Sequence, residues 1–403
     1  MSLLRWAVLA IAILPSVYYL LATFCAWDFF RKRREPNADY APPISILKPL
    51  KGLEGEAYEN LASFCRQDYP EYEILFAVDD ERDPVIPVVE KVIREFPKLP
   101  IRLVVGSAIH ATNKKVAKLC RLLPEARYEL LVMSDGDIRV QPDYLRRVVS
   151  PFRDPSVGAV TCFYRGMTDP NLWAELEDLN LTTELLPSML VARKVEGVNF
   201  ALGATIAVTR SRLAEIGGFE ALADCAADDY ELGRRIAARG HRVEMAPCTV
   251  QTQCASNTAR EFSMHQLRWN VVIRHCRPGG YAALLFTKGL PWSLAAAALA
   301  PSRLAAIAYL GIPLAARLAM AFSFGVYGIR DRLLPRKWWL IPLSDAIEFL
   351  IWVVGLFSNQ VSWRGSKFYV RRGRLIPATP PSGTKPLLAM DHSRTSGDPR
   401  PGN

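Results

Sequence analysis

The sequence lacks the marks of several common chemistries. Its eight cysteines include no C-x-x-C pair, and none stands at zinc-like spacing to the five histidines. That excludes a structural zinc site and a disulfide framework. Most of the cysteines lie inside apolar runs, where cysteine acts as a small hydrophobe, as expected of a reduced domain facing the cytoplasm. No Gly-rich phosphate loop of the dinucleotide or P-loop type is present, so any phosphate must be held by other means. The middle of the chain carries no stripe of basic residues interleaved with aromatics, so the net charge of +10 is not read as nucleic-acid binding. Basic residues beside lipid headgroups account for it better. There is no internal repeat.

What the chain has in excess is apolar residues. Half of its 403 residues are hydrophobic, and they are unevenly spread. Residues 3–27 are nearly all apolar, and residues 281–359 hold several more such runs. The first run is long for a cleaved signal peptide and is followed at once by Arg31-Lys32-Arg33-Arg34, the pattern of a stop-transfer anchor with its basic cluster on the cytoplasmic side. Further segments are expected near 283–301, 304–327 and 340–358. Basic residues in both 330–337 and 364–374 cannot all lie on one side if every segment spans, so one segment is expected to be re-entrant or interfacial. The chain is therefore expected to be an integral membrane protein with its soluble domain facing the cytoplasm, at a bacterial inner membrane or, in a eukaryote, the Golgi or ER.

Between the apolar ends, strand and helix patterns alternate. Strands are expected at 44–50, 73–80, 101–106, 128–133 and 157–164, with helices at 56–67, 84–96, 113–123 and from Pro142. Short apolar strands separated by helices imply right-handed βαβ units and a parallel, Rossmann-like α/β sheet. Beyond residue 170 the pattern gives a helix at 172–192, a strand at 204–209, a helix at 227–239 closed by Gly240, and a strand at 241–245. An amphipathic helix follows at 259–276. The Pro-, Gly- and Ser-rich tail at 377–403 reads as disordered.

Four sets of residues stand out. Asp79-Asp80 and Asp135-Gly136-Asp137 end strands, and in an open parallel sheet ligands gather at the carboxyl ends of strands. Carboxylates repel phosphate unless a divalent cation lies between them. Mg²⁺ or Mn²⁺ takes carboxylate and phosphate oxygens, so Asp135 and Asp137 are candidate metal ligands. The plainer reading of Asp135 and Asp137 is an acidic turn before a helix. Asp228-Asp229 begin the helix ending at Gly240, where capping explains one carboxylate. The second is available to take a proton from a substrate hydroxyl. His265, Arg268 and Trp269 share the amphipathic helix. Arg268 suits a phosphate and Trp269 a sugar ring, or both mark a membrane interface. Lys115 is a further candidate.

Taken together, Asp80, Asp135-Gly136-Asp137, Asp229 and an x-x-Arg-Trp helix resemble, in order and spacing, the membrane glycosyltransferases of family 2. The resemblance is closer to the ceramide glucosyltransferase branch and the related bacterial hopanoid-associated glycosyltransferases. ISILKPLKG at 44–52, FCRQDYP at 64–70, ADDYEL at 227–232 and SWRG at 362–365 also fit that branch. The resemblance implies a GT-A-type nucleotide-sugar domain at 40–258, with a transmembrane anchor at 1–30, an interface helix at 259–280 and membrane helices at 281–360. It implies Asp229 as general base, and Asp80, Asp135, Asp137, Arg268 and Trp269 as donor-binding residues. The expected partners are a UDP-sugar, a divalent cation, a lipid acceptor and the bilayer, with no nucleic acid. The branch usually carries Gln or Arg where His265 stands, and neutral histidine brings less charge to a diphosphate. The expected reaction is inverting transfer of a hexose, glucose or N-acetylglucosamine, to a lipid hydroxyl. A processive polysaccharide synthase would need more membrane helices, and a sugar nucleotidyltransferase would need neither anchors nor the Arg-Trp helix.

Overall fold

The computed structural model describes residues 3–32, 40–106, 108–168, 170–254, 256–363 and 365–378. Arg33, Arg34 and the tail from residue 379 lie outside them. The strands are β1 (Ile44–Pro49), β2 (Tyr72–Val78), β3 (Ile101–Val105), β4 (Leu130–Met133), β5 (Ile138–Arg139), β6 (Val157–Thr168), β7 (Ile206–Thr209) and β8 (Arg242–Cys254). A second set near the C-terminus comprises β9 (Gln360–Trp363), β10 (Ser366–Arg371) and β11 (Arg374–Pro377).

The first eight form one sheet in the order β3-β2-β1-β4-β7-β6-β8-β5. Strands β1 to β4 pair in parallel, as their βαβ spacing implies. The remainder is mixed: β7 runs antiparallel to both β4 and β6, while β6 and β8 are parallel. The strand expected at 157–164 keeps the sense of β1 to β4, because it is antiparallel to β7 and β7 is antiparallel to β4; only β7 and the short β5 run the other way. The long helical excursion between β6 and β7 allows the chain to return in the opposite sense and insert β7 beside β4. Strand β8 also runs well past Met245, because the register shift between Cys162 and Phe163 loops out Pro247 and Cys248, and a bulge accommodates the proline.

Alternate residues of the parallel strands supply two cores, as the strand period requires. Ile44, Ile46, Ile74 and Phe76 pack with Leu61, Phe64 and Val89 on one face. Leu47, Leu75 and Ala77 pack with Val116, Leu119 and Ile236 on the other. The sheet also curls. The five Cα steps from Met133 to Ile138 reach at most about 18 Å. The four strand spacings from β4 to β5 would need about 19 Å on a flat sheet. The Asp135–Asp137 segment crosses the carboxyl edge through a turn, in which Ile138 N donates to Asp135 O at 3.4 Å, and Ile138 pairs with Thr252 on the far strand.

Among the described residues, three helical stretches are long and apolar enough to cross a membrane: Leu3–Arg31, Arg303–Gly328 and Leu334–Phe357. The segment expected near 283–301 is instead a bent pair, Pro278–Thr287 and Gly289–Leu299, at 45°. The N-terminal helix packs onto the sheet domain through Phe29 and Phe30, whose rings lie 5.6 Å and 6.1 Å from Phe163 of β6. The helix expected at 172–192 runs from Leu172 to Glu196, with a π-helical turn at Leu181–Leu185. Strands β9–β11 form a small antiparallel sheet that sequence patterning missed. It pairs back onto the sheet domain, with Ala226 N donating to Gly373 O and Leu375 N to Asp224 O, both at 2.8 Å. Strand β11 ends at Pro377, the residue where a disordered tail was expected to begin.

The helix Asp228–Ala238 lies so close to residues 200–201 that a Cβ at Gly233 would stand 2.3 Å from Phe200 C and 2.4 Å from Ala201 N. Gly233→Ala would gain about 1 kcal/mol in helix propensity. It should still lose about 1–3 kcal/mol overall, because backbone rather than a flexible side chain must move. A lowered midpoint in thermal denaturation is the expected result, and a raised one would show that the contact is slack.

Candidate active site

The carboxyl edge of the sheet opens into a cavity of about 1100 Å³. Asp135, Asp137, Asp228 and Asp229 line it, from two separate elements. Asp135 and Asp137 lie on the turn between β4 and β5. Asp228 and Asp229 begin a helix whose Ncap, Ala227, makes no side-chain cap. Glycine at 203 lets the two sets meet: a Cβ there would lie 3.0 Å from Asp229 Oδ2 and 3.6 Å from Asp135 Oδ2.

Lys115 holds this cluster together. Its Nζ lies 2.7 Å from Asp135 Oδ1 and 3.5 Å from Asp228 Oδ2. Burial disfavours its ammonium, but Asp135, Asp228 and Asp229 outweigh that, so its affinity for the proton is raised. Asn113, fully buried, sets its position. The Asn113 Oδ1 accepts from Lys115 N and Val116 N, capping the helix Lys114–Leu122, while Nδ2 donates to Cys225 O and Asp228 Oδ1 at 3.0 Å. One amide thus ties the lysine helix to the aspartate helix.

The carboxylates differ in their surroundings. Burial pushes the Asp229 carboxyl up to about 6, with Asp228 adding to the rise and Lys115 and the Tyr230 amide opposing it. Tyr230 N donates to Asp229 Oδ1 at 2.8 Å. Asp137 is raised by burial and by Asp135, against a 2.8 Å hydrogen bond from Thr252 Oγ1. Beneath them lies Lys48, the penultimate residue of β1 and fully buried. Its Nζ donates to Asp135 O at 2.7 Å and sits 3.7 Å from the centre of the Phe64 ring. Burial pushes it down to about 7, partly offset by Asp137 and Asp135. Among the described residues no group of three or more His, Cys, Asp or Glu encloses a metal ion. Two neighbouring carboxylates at a cavity wall still fit Mg²⁺ or Mn²⁺, which completes its shell with phosphate and water.

The residues singled out in the sequence fare differently. Asp135, Asp137, Asp228, Asp229, Lys115, His265, Arg268 and Trp269 all border the same cavity. Asp80 does not. It is exposed in the turn after β2, where its Oδ1 accepts from Arg82 N at 2.9 Å, while its neighbour Asp79 is bound to Lys118 at 2.8 Å. His265 Nδ1 lies 2.6 Å from Glu177 Oε1, and its ring stands 4.8 Å from that of Trp269. Burial raises Glu177, but His265 and the Ser256 amide more than reverse it, so Glu177 stays below the ordinary carboxylate range. Arg268 stacks over Trp363 of β9 at 5.7 Å. Sequence reasoning missed Lys48, Asn113 and Glu177. Lys48 was detectable: a lysine inside ISILKPL breaks a buried strand just as Asp135 does.

The chain as a whole is similar to known proteins. The chain is 27% identical to ceramide glucosyltransferase 1 of Caenorhabditis elegans over 64% of its length, and spans 56% of that relative. It is 29% identical to the ceramide glucosyltransferase of Gibberella zeae over 38% of its length, spanning 31% of the relative. The chain thus covers about half of the worm relative's length and less of the fungal one's. A mannosyltransferase from Pyrobaculum calidifontis, solved with GDP-Man and Mn²⁺, superposes with a TM-score of 0.52 at 22% identity, over 87% of this chain and 99% of that one. That likeness shows a shared fold, of the GT-A type. Residues 7–376 match Glycosyl transferase family 21, and the chain belongs to that family.

Proposed function

We propose that the protein transfers a hexose from a UDP-sugar to a lipid hydroxyl with inversion, as a ceramide-glucosyltransferase-like enzyme. The observation that carries this reading is the single cavity. One end is lined by Asp135, Asp137 and Asp229, and the other by Tyr19, Leu290 and Met320 of the apolar helical segments. A water-soluble acceptor would have no use for the second end. The basic residues after the N-terminal helix support a cytoplasmic site, where nucleotide sugars are available.

Asp229 is the proposed general base. Its raised carboxyl is matched to neutral pH, and its Oδ2 faces the gap at Gly203. As the acceptor oxygen attacks the anomeric carbon from the face opposite the diphosphate, Asp229 takes its proton. Asp135 and Asp137 are the proposed ligands of a divalent cation, which when bound would offset the charge of the leaving diphosphate. The Mn²⁺ of the Pyrobaculum enzyme supports this choice. Arg268 and Trp269 are positioned to cover donor and acceptor from the helix Ala259–Cys276. Asp80, outside the cavity wall, would reach only the base or ribose of a donor that extends past it.

Asp229→Asn should retain UDP-sugar binding and lose about 10²–10⁴-fold in turnover, the usual worth of a general base. Turnover at the wild-type rate would refute the assignment. Because only the ionised carboxylate accepts a proton, kcat/KM should rise with pH through about 6 and then level off. Lys115→Met removes the ammonium that favours ionisation, so that acidic limb should move to higher pH. Asp135→Ala should abolish metal-dependent UDP binding in calorimetry. Incubating membranes with labelled UDP-glucose or UDP-N-acetylglucosamine and identifying the labelled lipid by mass spectrometry distinguishes a ceramide from a hopanoid polyol acceptor. If no lipid is labelled, the lipid-transferase reading fails.

A further inference from the structure

Five charged side chains line the part of the cavity between the apolar helices, and their pairing leaves one carboxylate over. Lys288, 7% exposed, is ion-paired with Glu184. Arg317, 4% exposed, grips both oxygens of Asp345, at 3.1 Å through Nε and 2.6 Å through Nη2. Its Nη1 donates to Thr183 O at 2.5 Å. Pro187 has no N–H to offer the carbonyl four residues back, so the π-helical turn presents that oxygen to the arginine. Glu348 follows Asp345 by three residues, on the same face of the helix Ile341–Phe357. It is 2% exposed, and its Oε1 has no hydrogen-bond partner among the described residues.

Two cations stand against three carboxylates, and both cations are already engaged. An ionisable side chain in a span-length apolar segment is costly, and such residues mark substrate paths more often than packing positions. A buried acceptor without a partner is destabilising, and the cost is relieved when a ligand donates to it. The same cavity is also lined by Leu290 and Met320, which suit alkyl chains. The missing partner is therefore a hydrogen-bond donor carried on an apolar molecule.

We propose that Glu348 is an acceptor-positioning and specificity residue: it accepts a hydrogen bond from a second donor, a hydroxyl or amide N–H, carried by the lipid near its reactive hydroxyl. This rests on the lipid-acceptor reading above. A plain long-chain alcohol lacks such a group. An N-acyl amino alcohol and a polyol lipid both have one.

The test uses the full chain in detergent with two matched lipid pairs: ceramide against its N-methylamide, and a long-chain 1,2-diol against the corresponding mono-ol. Transfer kinetics with UDP-sugar give KM for each, and native mass spectrometry reads lipid binding independently of turnover. The wild type should prefer the parent of one pair by about five- to a hundredfold, the span expected when a buried acceptor is left without its donor. The pair showing the preference identifies the headgroup chemistry. Glu348→Leu should bring that ratio close to one through KM, and Glu348→Gln, which keeps a neutral acceptor oxygen, should reduce it several-fold. If Glu348→Leu does not fold, Glu348→Gln decides alone. An unchanged ratio, a wild type without preference in either pair, or a uniform loss of kcat with all four lipids overturns the proposal. If the preference appears in binding but no sugar is transferred, the transferase reading fails and the assignment of Glu348 stands.

Discussion

Lys115 sits where Asp135 and Asp228 converge, with Asp229 close by, and its ammonium is the reason so much negative charge can be packed at the carboxyl edge of the sheet. Two like charges about 4 Å apart at an effective dielectric near 20 repel by about 4 kcal/mol, a large fraction of a domain's net stability. A single cation placed between carboxylates from two elements turns that repulsion into a cross-link. It also separates their roles. Asp135 is engaged by the lysine through Oδ1, while its Oδ2 faces Gly203 beside Asp229. Asp137 is held apart by Thr252, which the β5–β8 register brings alongside it. The fold reaches this arrangement through short connections: Asn113 caps the lysine helix and bonds the aspartate helix, and a turn at Asp135–Ile138 carries the chain from β4 to β5 across a curled sheet.

Much of this was legible in the sequence because it depended on local pattern. Apolar runs of strand length between helical periods gave β1 to β4, and carboxylates breaking those runs marked the edge where they emerge. What was not legible depended on pairing. Nothing in the letters of 204–209 says that the strand inserts antiparallel between β4 and β6; that follows from the path of the long helical excursion before it. Strands β9–β11 were missed because their outward residues are basic and their apolar ones few, with Val361, Val370 and Leu375 buried against Val271 rather than forming a run. Asp80 emerges after β2 but is not among the residues that line the cavity. Its position after a strand was read correctly, but a strand end is a place of emergence and does not decide which way a side chain turns. His265 was questioned for its lack of charge, yet its close partner Glu177 is 88 residues away in the chain and could not have been inferred from the helix alone.

The helix Ala259–Cys276 joins the two halves of the molecule, and its polar residues are divided accordingly. Gln266 accepts from Asn180 at 2.7 Å, and His265 meets Glu177, both on the helix that leads into the π turn. One turn later Asn270 accepts from the Tyr281 hydroxyl, which also bonds Trp352 O in the last apolar helix. Arg274 then donates to Ser358 O at 2.7 Å and Asn359 Oδ1 at 2.6 Å, where that helix ends. A hinge between the sheet domain and the apolar helices would require these bonds to break together. The helix is therefore a rigid strut, and Arg268 and Trp269, midway along it, are fixed relative to both ends of the cavity. That geometry suits a reaction in which one substrate comes from water and the other from lipid. If the carboxylate edge and the apolar wall could drift apart, an acceptor held by its chains would lose alignment with a donor held by its phosphates. An ångström-scale misplacement of that kind can cost about a hundredfold in rate.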